Sequence, residues 1–394
     1  MTARHRLLPT FTEAETIWKK LEAAAPTSPF QSFAWLSEWY RCIGEAEGVS
    51  LALVLVEGPD NTPWMLLPMG IHRGGLGRVL SWLGGELSDY LGPLIGPECP
   101  DSTLGDEFPA LWRAITKVLP AFSYAHLERQ PERISGRRNP FSRLDWRENP
   151  SRSHQTVLGP DWKAYYHSKS SARTRQTDRR KQRRLEDAGV IRFEVVGAGQ
   201  AADVLRVLFA QKSQSYRELG VDDLFANARY REFLEGVTRA SNREGQGPEG
   251  GKPLVHLSCL WVGHRIVVTH FGLVHQGRFY CLLPTYERSE LTPHSPGALL
   301  RLRLLQWACE NGMLEFDFTV GDEPYKDRWC EVSVPLYDGL VGASTWGRAC
   351  TAALRAGSAL KRELKASPEI YPVLVRLRAL GLGRATGETV RSTE

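Results

Sequence analysis

Apolar residues recur at helical spacing over Phe11 to Ala24 and again over Phe33 to Ile43, which predicts two amphipathic helices. Leu51 to Glu57 and Trp64 to Ile71 are apolar runs on either side of Gly58-Pro59-Asp60-Asn61, a strong turn signal, and read as a hairpin. Arg78 to Leu83 and Tyr90 to Ile95 add strand, Phe108 to Leu119 is helical, and Phe122 to Glu128 is a further strand. Arg129 to Gly159, rich in Arg, Pro and Asn, has little periodicity and reads as a loop. A basic segment follows over Asp161 to Gly189. Beyond it the pattern recurs: helices over Ala201 to Leu219 and Tyr230 to Ala240, and a Gly-rich turn over Ser241 to Lys252. A hairpin comes next, Leu254 to Val262 with Arg265 to Val274 around Gly263-His264, then a strand over Arg278 to Tyr286. A helix over Gly297 to Asn311, stopped by Asn311-Gly312, and a strand over Leu314 to Val320 complete it. Thr345 to Leu382 reads as two basic amphipathic helices broken at Ser367-Pro368.

The order α-α-β-β-β-α-β therefore appears twice, with too little residue identity between the halves to establish duplication by itself. A length of 394 residues also exceeds one ordinary core. The hydrophobic share of 42% and charged share of 24% are those of a globular chain. A net charge of +5 suits small acidic or phosphate-bearing ligands but is no mark of a dedicated nucleic-acid binder. Seven scattered cysteines without a CxxC pair argue against a disulfide framework and against zinc. No run approaches about 18 apolar residues, and Met1 to Arg6 leads into polar sequence. The expectation is a cytoplasmic protein with neither signal peptide nor transmembrane segment, and most of its twelve Trp in the core.

Three stretches carry candidate chemistry. Ser295-Pro296-Gly297-Ala298 opens a helix after a strand and short loop. Its free N–H groups and the helix dipole suit a phosphate, Pro fits the first turn, and His294 and Ser295 add donors. An ordinary capped helix fits the same pattern. Asp317 and the run Gly321 to Trp329 crowd acid, phenol and ammonium groups at a strand end, where ligands of α/β folds bind. There Tyr325 can act as general acid toward a leaving thiolate. Asp317 or Glu323 can take a proton from an amine or hydroxyl, and Lys326 can pair with a phosphate or carboxylate. A solvated charged turn is the plainer alternative. Third, Arg173, Arg175, Arg179, Arg180, Lys181, Arg183 and Arg184 put seven cations within twelve residues, with no apolar helix face. With Trp162, Tyr165 and Tyr166 before them they form either a phosphate-recognising arm or a linker helix. Ser88-Asp89-Tyr90, after Gly84-Gly85, is a candidate cleft lining or a satisfied buried turn. His256 and His270 fall on strands that should pair and read as core histidines.

Taken together, these residues resemble a known family. Phe30 to Trp35, Gly84 to Tyr90 with Gly92-Pro93-Leu94, Arg179 to Gly189, Phe279 to Tyr286, Ser295 to Gly297 and Phe316 to Lys326 are similar to the CelD-like branch of the GNAT acyltransferase superfamily. That branch is named for an association with bacterial cellulose biosynthesis and is related to FemX-type transferases with two GNAT folds in tandem. The resemblance spans roughly residues 28–340. It implies an α/β (α+β) fold of two GNAT-like domains, each a mixed, mostly antiparallel sheet flanked by helices: 1–150, a basic arm 151–192, then 193–340 with the acyl-donor site, and C-terminal basic helices 341–394. It implies acyl-CoA (acetyl-CoA) as donor, no metal, and its diphosphate at His294, Ser295, Pro296, Gly297 and Ala298, although only Gly297 of the family's usual Q/R-x-x-G-x-G/A loop is present. Tyr325, Asp317 and Glu323 become the catalytic candidates. Lys326, Ser88, Asp89, Tyr90, Arg180, Arg184 and Trp329 become substrate contacts. The acceptor would be a small molecule or glycan precursor of the cell envelope or exopolysaccharide. The alternatives are a FemX-like transferase fed by aminoacyl-tRNA, or a non-catalytic scaffold docking on a membrane surface or a synthase through the C-terminal helices.

Overall fold

The structure is a computed structural model that describes residues 3–245 and 253–366. It forms two compact units, one built from the residues up to Pro150 with those from Pro335 onward, the other from Ser151–Val334. Each repeats one order, β-α-α-β-β-β-α-β.

In the first unit the strands Arg4–Leu8, Ser50–Glu57, Pro63–Gly74 and Gly77–Trp82 pair antiparallel in that sequence. Gly77–Trp82 then pairs parallel with Tyr124–Pro131. In the second unit Ile191–Val195, Val255–Val262, Arg265–His275 and Arg278–Tyr286 pair antiparallel, and Arg278–Tyr286 then pairs parallel with Glu315–Val320. The crossover helices are Phe108–Val118 and Pro296–Glu310. A parallel neighbour needs such a crossover because a hairpin cannot reverse the chain twice. Amphipathic helices Phe11–Ala24 and Phe33–Trp39 flank the first sheet; Ala201–Leu219 and Ala228–Gly245 flank the second.

The strand beside each parallel pair comes from the stretch that follows the other repeat. Residues 336–342 of Val332–Gly342 flank Tyr124–Pro131, and residues 153–157 of Trp146–Val157 flank Glu315–Val320, both antiparallel. The expected loop over Arg129 to Gly159 is thus corrected: its second half is a twelve-residue strand. Its residues are polar and its outer positions exposed, so the alternation carries almost no hydrophobic contrast. Arg4–Leu8 and Ile191–Val195 were hidden for a similar reason, since each edge strand alternates charged with half-buried residues. Tyr90 to Ile95 shrinks to the two-residue strand Leu94–Ile95. Of the C-terminal helices, Thr345–Ala366 is seen, and the second lies outside the described residues. Among the described residues no helix is long and apolar enough to cross a membrane.

Candidate active site

The parallel ladder of the second unit is short. Arg278, Phe279 and Tyr280 pair with Glu315, Phe316 and Asp317, and the two strands then part. Both strands are bulged at that point. Opposite Phe271 to Leu273 stand Leu283 to Tyr280, three steps against two, so Cys281–Leu282 carries an extra residue. Likewise Asp317 to Val320 faces Gln155 to Ser153. Gly272 permits the first bulge, since a Cβ there would lie 2.7 Å from the Tyr280 carbonyl oxygen and 2.4 Å from the His270 ring. At the second, Thr319 adopts φ +60°, strained for a β-branched residue by about 1–3 kcal/mol. Its N–H donates to Asp317 Oδ1 at 2.8 Å and its hydroxyl to the Cys281 carbonyl at 3.3 Å, bridging the fork.

A cleft partly open to solvent fills the angle between the strands. Cys281 to Tyr286 form one wall, Phe318 to Val320 another, and the helix Pro296–Glu310 closes it with Gly297, Leu300, Arg301 and Leu304. That helix begins after Ser295, at φ +53° and with no side-chain hydrogen bond capping its first turn. A Cβ on Gly297 would meet nothing nearer than the Tyr286 ring at 3.7 Å, so the approach to this helix start is open. The basic helix Ala172–Glu186 packs beside it, and Lys181 Nζ donates to Ser295 Oγ at 3.0 Å. Arg328 pairs with Asp178 of the same helix at 2.8 Å. Arg173, Arg179, Arg180, Arg183 and Arg184 are exposed and have no ion-pair partner among the described residues.

The acidic-aromatic run forms the far side of the cleft. The short helical turn Pro324–Arg328 presents Tyr325 to it. Lys326, 1% exposed, folds back: its ammonium donates to the Thr319 and Gly321 carbonyls at 3.2 and 2.9 Å and meets Glu323 at 2.7 Å. Gly321 at φ +128° leaves room for that carboxylate, because a Cβ would stand 2.6 Å from Glu323 Oε1. Tyr325 lies under Arg301, whose guanidinium carbon is 3.7 Å from the ring centroid. Burial, reinforced by Cys281, raises the phenol well above its ordinary pKa, so it carries its proton at neutral pH; Arg301 opposes the shift.

The sequence candidates separate accordingly. Gly297, Glu323, Tyr325 and Lys326 share the cleft. Pro296 is buried at its helix start, with His294, Ser295 and Ala298 half-buried around it. Lys326 and Glu323 are engaged with each other, which binds the turn together instead of leaving the ammonium for a substrate. Asp317 is fully buried outside the cleft lining and accepts from Thr319 N–H and, at 3.1 Å, from Gln155 Nε2, an arrangement that holds the fork. Trp329 is buried against Tyr165 and Tyr166. Ser88, Asp89 and Tyr90 are buried in the first unit, where Ser88 accepts from Trp35 Nε1 at 2.8 Å and the Tyr90 carbonyl accepts from Gln31 at 2.9 Å. Arg301 escaped the sequence reading. Its signal is an arginine inside the otherwise apolar turn Leu299-Leu300-Arg301-Leu302, one helical turn beyond Gly297.

Residues 172–327 match the family model of the acetyltransferase (GNAT) domain. No curated protein matches the chain in sequence. Among solved structures it is similar to the C-terminal domain (DUF2156) of a putative lysylphosphatidylglycerol synthetase from Agrobacterium fabrum, at TM-score 0.51 and 11% identity over 89% of this chain and 97% of that one. A tandem GNAT protein from the clavulanic acid biosynthesis pathway matches at TM-score 0.47 and 11% identity, over 87% and 99%. FemX matches at TM-score 0.46 and 10% identity, over 86% and 98%. The GNAT match lies in the second unit, and the first repeats its element order; in each, mixed and mostly antiparallel strands are flanked by helices.

Proposed function

We propose that this GNAT-type acyltransferase binds acyl-CoA in the cleft of its second unit and passes the acyl group to an amine or hydroxyl. One observation carries the reading: the ladder that stops at Tyr280 and Asp317 opens a wedge with a bare helix start on one side and a protonated tyrosine on the other. The helix start at Pro296–Gly297, with Lys181 beside it, suits a diphosphate. Among the described residues the cleft-side edge of Cys281–Tyr286 has no strand partner, and backbone N–H groups on that edge would serve a ligand chain and the carbonyl oxygen that gains charge. Holding donor and acceptor together removes much of the entropic barrier. Tyr325 gives its phenolic proton to the departing thiolate, and Arg301 above the ring favours the tyrosinate that results. Glu323, whose Oε2 meets Lys326, takes the proton of the attacking group on its other oxygen, Oε1. The acceptor we assign is a cell-envelope or exopolysaccharide precursor, in keeping with the CelD-like resemblance.

Acetyl-CoA or a longer acyl-CoA should raise the melting temperature of the full chain, and Gly297→Glu should abolish the shift. That variant has room to fold, and its carboxylate would repel a diphosphate. Failure of every acyl-CoA to shift the wild type rejects the reading. The exposed arginines of Ala172–Glu186 favour a second one, an aminoacyl-tRNA donor gripped by that helix. Binding should then weaken steeply with salt, and a chain that shifts no tRNA at low salt excludes it.

A further inference from the structure

One cation of the cleft, Arg301, has no ion-pair partner among the described residues. Four basic side chains line the cleft: Lys212, Arg288, Arg301 and Lys326. Lys326 is held by Glu323 at 2.7 Å, Arg288 by Glu218 at 2.9 Å, and buried Lys212 is engaged within the fold. Arg301 has no carboxylate in ion-pair range among the described residues; its guanidinium lies over the Tyr325 ring, 3.7 Å from the centroid. Among the described residues Glu323 is the only acid lining the cleft, and its charge is matched by Lys326. Burial works against the guanidinium charge and lowers its pKa, with like-charged Arg328 adding to the effect. An enclosed guanidinium stacked on an aromatic face, with its fork free of any acid, is half of a bidentate pair. Removing one partner of a buried pair is strongly destabilising, so leaving Arg301 without an anion has a cost that a ligand can offset. The walls around it are apolar, formed by Leu300, Leu304 and Phe318.

We infer that Arg301 is the recognition point for a carboxylate, and that the ligand of this cleft is a short apolar chain ending in one. Two sources share that chemistry: a dicarboxylic acyl group on the donor, or a carboxylate on the acceptor. The inference takes the location of the ligand from the acyl-CoA reading and its charge from Arg301.

Binding of the full chain to CoA, butyryl-CoA and succinyl-CoA tests the donor. Binding of free succinate against succinamide, with and without acetyl-CoA, tests the acceptor. The expected result is a preference for the charged member of one pair by roughly tenfold or more. Arg301→Gln should erase that preference and Arg301→Lys should retain part of it. A preference in the first arm identifies the acyl group, and one in the second the acceptor. The inference is overturned if neither pair is distinguished, or if the preference survives in Arg301→Gln. It is also overturned if Arg301→Gln weakens CoA, butyryl-CoA and succinyl-CoA by one common factor, because the guanidinium would then serve the shared diphosphate. If no CoA species binds at all, the acyl-CoA reading falls, and the succinate pair alone decides for or against Arg301.

Discussion

The two units share a topology and use the same position in opposite ways. In the first, the parallel ladder also ends early, with only Val79 and Leu80 pairing with Tyr124 and Ala125. There the space between strand end and helix start is filled. Phe141, 2% exposed, inserts its ring 5.0 Å from Trp82 at the end of its strand, 4.9 Å from Phe108 and 5.2 Å from Trp112 on the crossover helix. Phe108 and Trp112 stand one turn apart on that helix, as Gly297 and Arg301 do on theirs. The fork thus comes with the topology. Whether it becomes core or cleft is decided by side chains: four large aromatics bury it in one unit, and a glycine and the Arg301 guanidinium keep it open in the other.

Substitutions in each fork should therefore have opposite signatures. The largest expected effect is on turnover. Tyr325→Phe removes the acidic proton but keeps the ring under Arg301, so kcat should fall by about 10²–10⁴ with little change in melting temperature. Activity within about threefold of wild type would exclude the tyrosine as acid. In the first fork, Phe141→Ala should destabilise that unit by about 3–5 kcal/mol, read from urea unfolding, because the ring is fully enclosed. Acyl-CoA affinity should be unchanged in that variant. A loss of affinity comparable to that of Gly297→Glu would show that the filled fork takes part in ligand binding, and the contrast between the units would dissolve.

The fold is legible in the sequence, but unevenly, and the contrast between the forks is not. Helices, hairpins and the repeated order have strong periodicity, and the bare helix start at Pro296–Gly297 and the run around Tyr325 announced themselves by residue type. What escaped depends on pairing over long separations. Trp146–Val157 is a strand because Glu315–Val320 lies beside it, not because its own residues prefer one. Asp317 and Lys326 look like site residues in the sequence. Folding turns them inward: Asp317 caps the Thr319 N–H, and Lys326 secures the turn that carries Tyr325. Ser88 to Tyr90 have the same polar look, yet they satisfy Trp35 and Gln31 within the first unit. Residue type alone does not mark Arg301, because an arginine in a helix is ordinary until its surroundings are known.

The smallest expected difference concerns acid. Among the described residues, the buried histidines are His256 and His270, both in the second unit. Their rings are 6.0 Å apart, and His256 packs 4.2 Å from Trp307 and 5.0 Å from Phe279. Among the described residues no carboxylate or cation is paired with either ring; burial is the dominant influence on His256, opposed by its own backbone, and the neighbouring His256 adds to burial for His270. Burial lowers His256 to about 3, and His270 well below its ordinary value. Below the unfolded value near 6.5 the unfolded chain binds protons that the folded core refuses, so stability falls as pH drops from there toward about 3. For His256 this amounts to about 2 kcal/mol between pH 7 and pH 5, above the range in which ordinary carboxylates titrate. Amide exchange at pH 5 should therefore rise first in Val255–Val262 and Arg265–His275, while Ser50–Glu57 and Pro63–Gly74 stay protected. His256→Leu should flatten the pH slope of urea unfolding in the second unit and leave the first unit's slope as it was. Equal loss of protection in both sheets at pH 5, or an unaltered slope in His256→Leu, would mean that the histidine pair does not set the acid sensitivity of the fold.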